Sequence, residues 1–497
     1  MAKCVTTSLM PPITVEQLAA LPPAVRAVEQ TLIDHYEMQL AALRAENEAL
    51  RAEISTLRAE LAQAKADLAA KKNPRNSSKP LSSEHPHAKS PPSKPKSQRP
   101  RGGQLGHEKH GRSLIPVEEC AAEHDYRPQK CGGCGSRLFG LDPAPLRHQV
   151  WELPEIKPLV MEYRLHRLTC SGCGAITCGK LPPGVGQCQA GPRLIGFTAL
   201  LMGAMRQSKR KVAWFLENVL NTPCSPGWVV KLQNHATAAL RPAYDDLVTR
   251  LPEQHRLNID ETPGKQGLLK TWLWAFVATT FTVFALRLTR KAAELYAHIG
   301  EEFPGVVSCD RAKMYVRLKR LQWCWAHLIR DFQALIDSGD GQAKRLGHDL
   351  KREADAMFAL WKRVRDGTLT HRGFKTLMRP IRQTVEALLL RGVYSGNSLF
   401  NGMCDELWRG RDNLWTFVDV EGVGPTNNEA ERALRHAVIW RKLSFGTQSD
   451  AGSRFVETML TVIETCRQQQ HNPFAYVTQA VAAHFAGDQP PLLLNGA

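Results

Sequence analysis

Hydrophobic and polar positions follow different periods along this chain, and the changes of period divide it. From about Ile33 to Leu68 apolar residues recur at offsets of three and four. One series is Ile33, Leu40, Asn47, Ile54, Leu61 and Leu68; the other is Tyr36, Leu43, Leu50, Leu57 and Ala64. These are the a and d positions of a coiled coil. The flanks are rich in Ala, Glu and Arg, and a single Asn47 at an a position fixes register and favours a parallel dimer. The competing reading is one amphipathic helix packed on its own domain; the sustained seam and heavily charged faces favour self-association. Over residues 73–112 periodicity stops. Nine Lys or Arg stand there against two acids, among Pro and Ser, the composition of a disordered basic linker. It serves either as a plain tether or as a strip lying along phosphates. Its tail, with His107 and His110, reads as a loop.

In the second half the period shortens to that of strands. The apolar run Leu257-Asn258-Ile259 delivers Asp260 at its carboxyl end, and Val306-Val307-Ser308-Cys309 delivers Asp310 in the same way. Between them lie two aromatic and β-branched strands, 271–279 and 282–288, and a helix near 291–299. A fifth strand at 321–325 runs into Cys324-Trp325-Ala326-His327. Strand, strand, strand, helix, strand, with acids on the first and fourth strands, is RNase H-like order. Residues from about 333 to 417 look helical and read as an insertion. Thr426 with Glu429 then forms a capping box that opens a helix. Glu431 falls in its second turn. Asn427, Asn428, Glu431 and Arg435 share a polar face, opposite a buried face of Ala430, Ala433, Leu434 and Ala437.

Charge narrows the partner. Lys and Arg number 65 against 48 Asp and Glu across 497 residues, a net charge of +17. A basic excess of this size favours nucleic acid. No uninterrupted apolar run reaches the length of a membrane span, and the amino terminus lacks a secretory core, so a cytoplasmic protein is expected. Thirteen cysteines without a signal point to reduced thiols or metal ligands rather than a disulfide scaffold. Cys131-Gly-Gly-Cys134-Gly and Cys170-Ser-Gly-Cys173-Gly are two copies of one turn, and together they predict a closed four-cysteine, structural Zn²⁺ site. Alternating residues such as Val160 to Leu165 read as strands between the two turns. Cys178 and Cys188 lack the spacing and read as free thiols. Residues 192–205, 209–219 and 225–240 read as three helices with basic Arg206, Lys209, Arg210 and Lys211. They form either a helix-turn-helix DNA reader or a bundle packed on the catalytic domain.

Two strand-end aspartates and a helix-borne glutamate are oxygen ligands suited to Mg²⁺ or Mn²⁺. A metal pair held so activates a nucleophile and stabilises a leaving oxygen. Asp260, Asp310 and Glu431 are therefore the expected catalytic and magnesium-binding triad. The chain divides into a tail (1–28), coiled coil (29–72), linker (73–118), zinc domain (119–190) and helical module (191–250). A core in two parts (251–332 and 421–480) follows, interrupted by the helical insertion (333–420), with a tail at 481–497.

The ordered set Asp260-Glu261-Thr262, Asp310, Cys324-Trp325-Ala326-His327, Asn427-Asn428-Glu429-Ala430-Glu431-Arg432 and Arg441-Lys442 resembles the insertion-sequence 66 family of bacterial DDE transposases. The resemblance spans nearly the whole chain. It implies an RNase H-like catalytic core in a multidomain α/β protein, two Mg²⁺ at the triad, His327 in support, and DNA cleavage with strand transfer. It also implies accessory proteins of the same element. The chain departs from the family at Thr426, Ile329-Arg330-Asp331 and Leu443-Ser444-Phe445-Gly446. A non-catalytic zinc-dependent DNA-binding regulator and a structure-selective nuclease are the rival readings.

Overall fold

The computed structural model describes residues 20, 22–71, 76, 106 and 112–494. Most of the linker, including His107 and His110, and the outer ends of both tails lie outside them. The chain separates into two compact units, residues 1–86 and 87–497.

Among its described residues the first unit forms one long helix, α1 (Pro23–Lys71). Every seam residue from Ile33 to Leu61, Asn47 included, is exposed. The side chains of Ala64 and Leu68 lie outside the described residues.

The second unit opens on short extended pieces around the cysteine turns, with a small hairpin of β1 (Arg167–Thr169) and β2 (Ile176–Cys178). The strands expected near Val160 to Leu165 do not form. Leu159, Val160 and Met161 are exposed, and among the described residues no neighbouring strand completes their backbone hydrogen bonds.

A five-stranded mixed sheet organises the rest. Its strands are β3 (Arg256–Gln266), β4 (Leu269–Val277), β5 (Thr282–Arg287), β6 (Val306–Cys309) and β7 (Leu321–Trp323), in the order β5-β4-β3-β6-β7. β3, β4 and β5 form an antiparallel meander, whereas β6 pairs parallel to β3 and β7 parallel to β6. Helix α5 (Ala292–Ile299) carries the chain between β5 and β6, because a parallel partner requires a crossover. The carboxyl half of β4 and nearly all of β5 are buried on both faces, which is why they read as continuous apolar runs rather than alternating ones. β3 is longer than its sequence suggested. It does not stop at Asp260 but continues through Pro263 and Gly264, paired throughout with β4.

Three helices precede the sheet: α2 (Pro192–Gly203), α3 (Lys209–Asn218) and α4 (Pro226–Thr249). Ser208 and Ser225 cap α3 and α4 by accepting N–H bonds from Lys211 and Trp228. Of the two readings for this module, the packing favours the bundle. α4 buries Leu232, Ala236, Leu240 and Leu247, and its Tyr244 hydroxyl donates to the Phe284 carbonyl of β5 (3.0 Å). After β7 comes α6 (Trp325–Ile336), then α7 (Gly341–Arg365), α8 (His371–Val393), α9 (Asn401–Arg409) and α10 (Asp412–Asp419). The chain closes with α11 (Asn428–Ser444), α12 (Asp450–Gln468) and α13 (Pro473–Ala486).

The outer edge of β5 would present free N–H groups to solvent or to another strand. Instead α12 runs along it. Thr282, Phe284 and Leu286 donate their N–H groups to Thr465 Oγ1 (3.2 Å), Thr461 Oγ1 (2.9 Å) and Glu457 Oε2 (3.0 Å). Every second strand residue meets every fourth helix residue, because both steps advance by roughly 6 to 7 Å.

Candidate active site

Register places the first two acids. Asn258 of β3 lies opposite Ser308 of β6 in the parallel pair. Asp260 and Asp310 each follow two residues later, so they continue along one face of neighbouring strands. β6 has ended by then, and Asp310 begins a loop that it shapes by accepting the N–H of Ala312 (2.9 Å).

The third acid arrives from α11, and β3 itself fixes where that helix begins. Asn427 Nδ2 donates to the carbonyl of Ile259 (2.7 Å), next to Asp260, while Asn258 Nδ2 donates to the carbonyl of Thr426 (3.4 Å). The Asn427 N–H donates to Cys324 Sγ (3.2 Å), and the Trp325 N–H to the carbonyl of Pro425 (2.9 Å). This lashing replaces the expected capping box. Asn427 occupies the cap position without a side-chain capping bond, because its amide is committed to β3. Glu429 turns to Arg256 (3.4 Å). Glu431 accordingly lies in the first turn of α11, not the second. The apolar face is as expected, with Ala430, Ala433, Leu434 and Ala437 buried, and Asn427 of the polar face is buried as well. Asn428 is half-buried beside the acids in sequence, and Arg435 is exposed.

The electrostatics of the cluster are lopsided. Burial first, then the charges of Glu261, Asp310 and Glu431, pushes the Asp260 carboxyl well above the ordinary aspartate value. Asp260 accepts the N–H of Glu261 (2.9 Å), and among the described residues no cationic side chain forms an ion pair with it. Glu261 is better supplied: it pairs with Arg290 and accepts from the Tyr315 hydroxyl (2.8 Å). Its pKa is raised by burial, with Arg290 and the Tyr315 hydroxyl opposing. Arg290 also reaches Asp310 (3.7 Å), and Arg330 reaches Glu431 (3.4 Å). His327 Nδ1 lies 3.8 Å from Glu431 Oε1. Burial, then Arg330, lowers the His327 pKa, so the ring is neutral at neutral pH. Arg290, Tyr315, Arg330 and Asn427 are the site residues that sequence reasoning passed over or gave another role.

The cysteine turns form individually but not as one centre. In each, the first Cys donates its N–H to a carbonyl five residues on, Ser136 (2.8 Å) or Ala175 (2.9 Å), and accepts the N–H of Gly135 or Gly174 (2.9 Å each). Both glycines have positive φ, 74° and 72°, a conformation that favours Gly. Ser136 lowers the Cys134 thiol to about 7, and backbone N–H groups of Cys173 and Gly172 lower that of Cys170. Yet the four thiols are not gathered into one group. Among the described residues the one set of three or more potential ligands within 4.8 Å of one another is Cys324, His327 and Glu431.

The elevated Asp260 yields a test. Folded Asp260 keeps its proton to higher pH than in the unfolded chain, so the metal-free fold is favoured at low pH. That stability is lost as pH rises through the folded-state pKa. Thermal melts in chelator from acidic to neutral pH should therefore fall more steeply for wild type than for Asp260→Asn; parallel curves would contradict the assignment.

A mixed sheet that gathers carboxylates beside its parallel strand ends defines this as an α/β protein with an acid-centred site. The chain belongs to the Transposase IS66 family, whose model matches residues 205–454 and so contains Asp260, Asp310 and Glu431. A model of a family of unknown function matches residues 21–113. Two relatives come from Sinorhizobium fredii. The uncharacterized protein y4qI is 26% identical over 284 residues, 50% of this chain and 51% of its own length. The uncharacterized protein y4hP is 22% identical over 395 residues, 71% and 70% of the two chains. The match thus spans about half of the first relative. No helix among the described residues is long and apolar enough to cross a membrane.

Proposed function

We propose that this chain is a DDE transposase that cleaves DNA at the ends of an insertion element and joins them to target DNA. One observation carries the reading. The Asp260 carboxyl is raised by burial and by the charges of Glu261, Asp310 and Glu431, and it has no cationic partner among the described residues. Such a cluster is costly unless a cation completes it. The oxygen donors fit Mg²⁺ or Mn²⁺, which Asp260, Asp310 and Glu431 would hold. Divalent ions there supply the Lewis acidity for in-line attack on a phosphodiester and for the departing oxygen. The protein's own part is positioning. Arg290 holds Glu261 and leans on Asp310, Arg330 steadies Glu431, and neutral His327 packs beside it.

The order β5-β4-β3-β6-β7 and its mixed strand senses support an RNase H-like core, with α7 to α10 as the helical insertion. The paired cysteine turns support a structural Zn²⁺ that would draw Cys131, Cys134, Cys170 and Cys173 together. The net charge of +17 supports DNA as partner, and the family supports accessory proteins of the same element. The deciding experiment is a strand-transfer assay with labelled element-end DNA and a plasmid target in Mg²⁺. Joined product is the expected result; specific binding without product, even with the element's accessory proteins present, would favour a DNA-binding regulator.

The exposed seam of α1 supports a parallel dimer. Placing Asp at both Leu43 and Leu50 puts charges into successive d layers, and light scattering should then report monomers where wild type gives dimers or larger assemblies. An unchanged mass would remove the coiled coil from the account.

A further inference from the structure

The start of α6 brings a second set of ligand atoms up to Glu431. Cys324, His327 and Glu431 bring a thiol, an imidazole and a carboxylate within 4.8 Å of one another. Their convergence has a simple origin. Cys324 and His327 are three residues apart at a helix start, which puts them on one side. The Asn427 N–H bond to Cys324 Sγ then draws the first turn of α11, with Glu431, against them.

A second observation makes this more than crowding. His327 Nδ1 is sealed from solvent and has no hydrogen-bond partner among the described residues, although Glu431 Oε1 is 3.8 Å away. A buried, unpaired ring nitrogen is expensive, and coordination would satisfy it. Cys324 is buried too. Burial pushes its thiol up, while the N–H groups of Asn427, His327 and Ala326 work the other way. Deprotonation of that buried sulfur is favourable once a cation bonds to the thiolate.

We propose that Cys324, His327 and Glu431 form a second cation site, selective for Zn²⁺ and similar borderline-soft ions, that inhibits the enzyme by engaging Glu431. Sulfur and nitrogen ligands favour Zn²⁺ over Mg²⁺, and three protein ligands leave one tetrahedral position open to water. On binding, the Cys324 thiol gives up its proton to solvent as the sulfur–metal bond forms, and Arg330 releases Glu431. Glu431 cannot serve this site and the hard-metal triad equally, so zinc and magnesium compete through one carboxylate. The inhibitory consequence rests on the catalytic reading of Glu431; the binding itself does not.

The test separates the two. Full-length protein is stripped with chelator and titrated with Co²⁺ and then Zn²⁺. Wild type should take up one equivalent more than Cys324→Ala or His327→Ala, and Cys324→Ala should lose part of the thiolate-to-cobalt absorption. The cysteine turns contribute equally to all three proteins, so the difference isolates this site. Circular dichroism melts identify any misfolded variant, with Cys324→Ser as the replacement. Equal uptake by folded wild type and variants overturns the site. For inhibition, the ratio of strand transfer with and without added zinc is compared within each protein. A ratio that falls in wild type and stays near unity in Cys324→Ala is expected; equal inhibition in both overturns the regulatory role. If no protein joins DNA in Mg²⁺, the transposase reading fails, while the uptake difference still decides the site.

Discussion

Glu431→Gln is expected to abolish joined product, lowering the strand-transfer rate by about three orders of magnitude or more, about 4 kcal/mol of transition-state stabilisation. The substitution keeps size and helix propensity and removes only the charge that would hold a divalent ion. Asp260→Asn and Asp310→Asn should behave alike, since the three carboxylates act as one group. Binding of element-end DNA should survive in all three variants. Glu429→Gln is the informative control. It changes the same helix two residues away, at a side chain that pairs with Arg256 instead of facing the cluster, and its effect should stay within a few-fold. Joining by Glu431→Gln near the wild-type rate, or an equal loss in Glu429→Gln, would remove Glu431 from the proposed triad.

Much of the site's scaffold could be read from the sequence because its determinants are local. The β-branched and aromatic runs marked β4, β5 and β6, and the two acids stood where apolar runs ended. Two things stayed hidden. β3 runs on past Asp260 because β4 supplies a partner through Gln266, and pairing of this kind overrides a local stop signal. Asn427 read as one member of a polar helix face, but its amide is spent on the carbonyl of Ile259, far away in sequence. The same holds for Arg290 and Tyr315, whose role as partners of Glu261 depends on the packing of segments that no spacing rule connects. The cysteine turns were legible for the opposite reason: each is closed by hydrogen bonds within six residues. What spacing could not say is how the two turns approach each other.

The edge of the sheet was not legible at all, and it carries the largest expected effect on stability. Glu457 is fully buried in α12. It accepts the N–H of Leu286 (3.0 Å) and pairs with Arg241 (3.0 Å), Arg454 (3.0 Å) and Arg287 (3.5 Å). Glu457→Ala would leave a strand N–H without its acceptor and gather three guanidinium groups around an empty space. Removing one partner of a buried ion pair costs about 3–5 kcal/mol, and the orphaned N–H adds to that. Urea unfolding should register the loss as a lower midpoint with little change in slope. Glu457→Gln should fall between, because its amide oxygen can still accept from Leu286 while the three arginines lose their counter-charge. Thr461→Val tests the neighbouring rung with shape preserved, and its smaller cost should be about 1–3 kcal/mol. The consequence reaches the site as well. β5 aligns β4, β4 is paired with β3 through Asp260 itself, and a loosened edge should weaken divalent-ion binding before the protein unfolds. A loss under about 1 kcal/mol in Glu457→Ala, the range of an exposed ion pair, would show that solvent or another side chain replaces Glu457 at the edge.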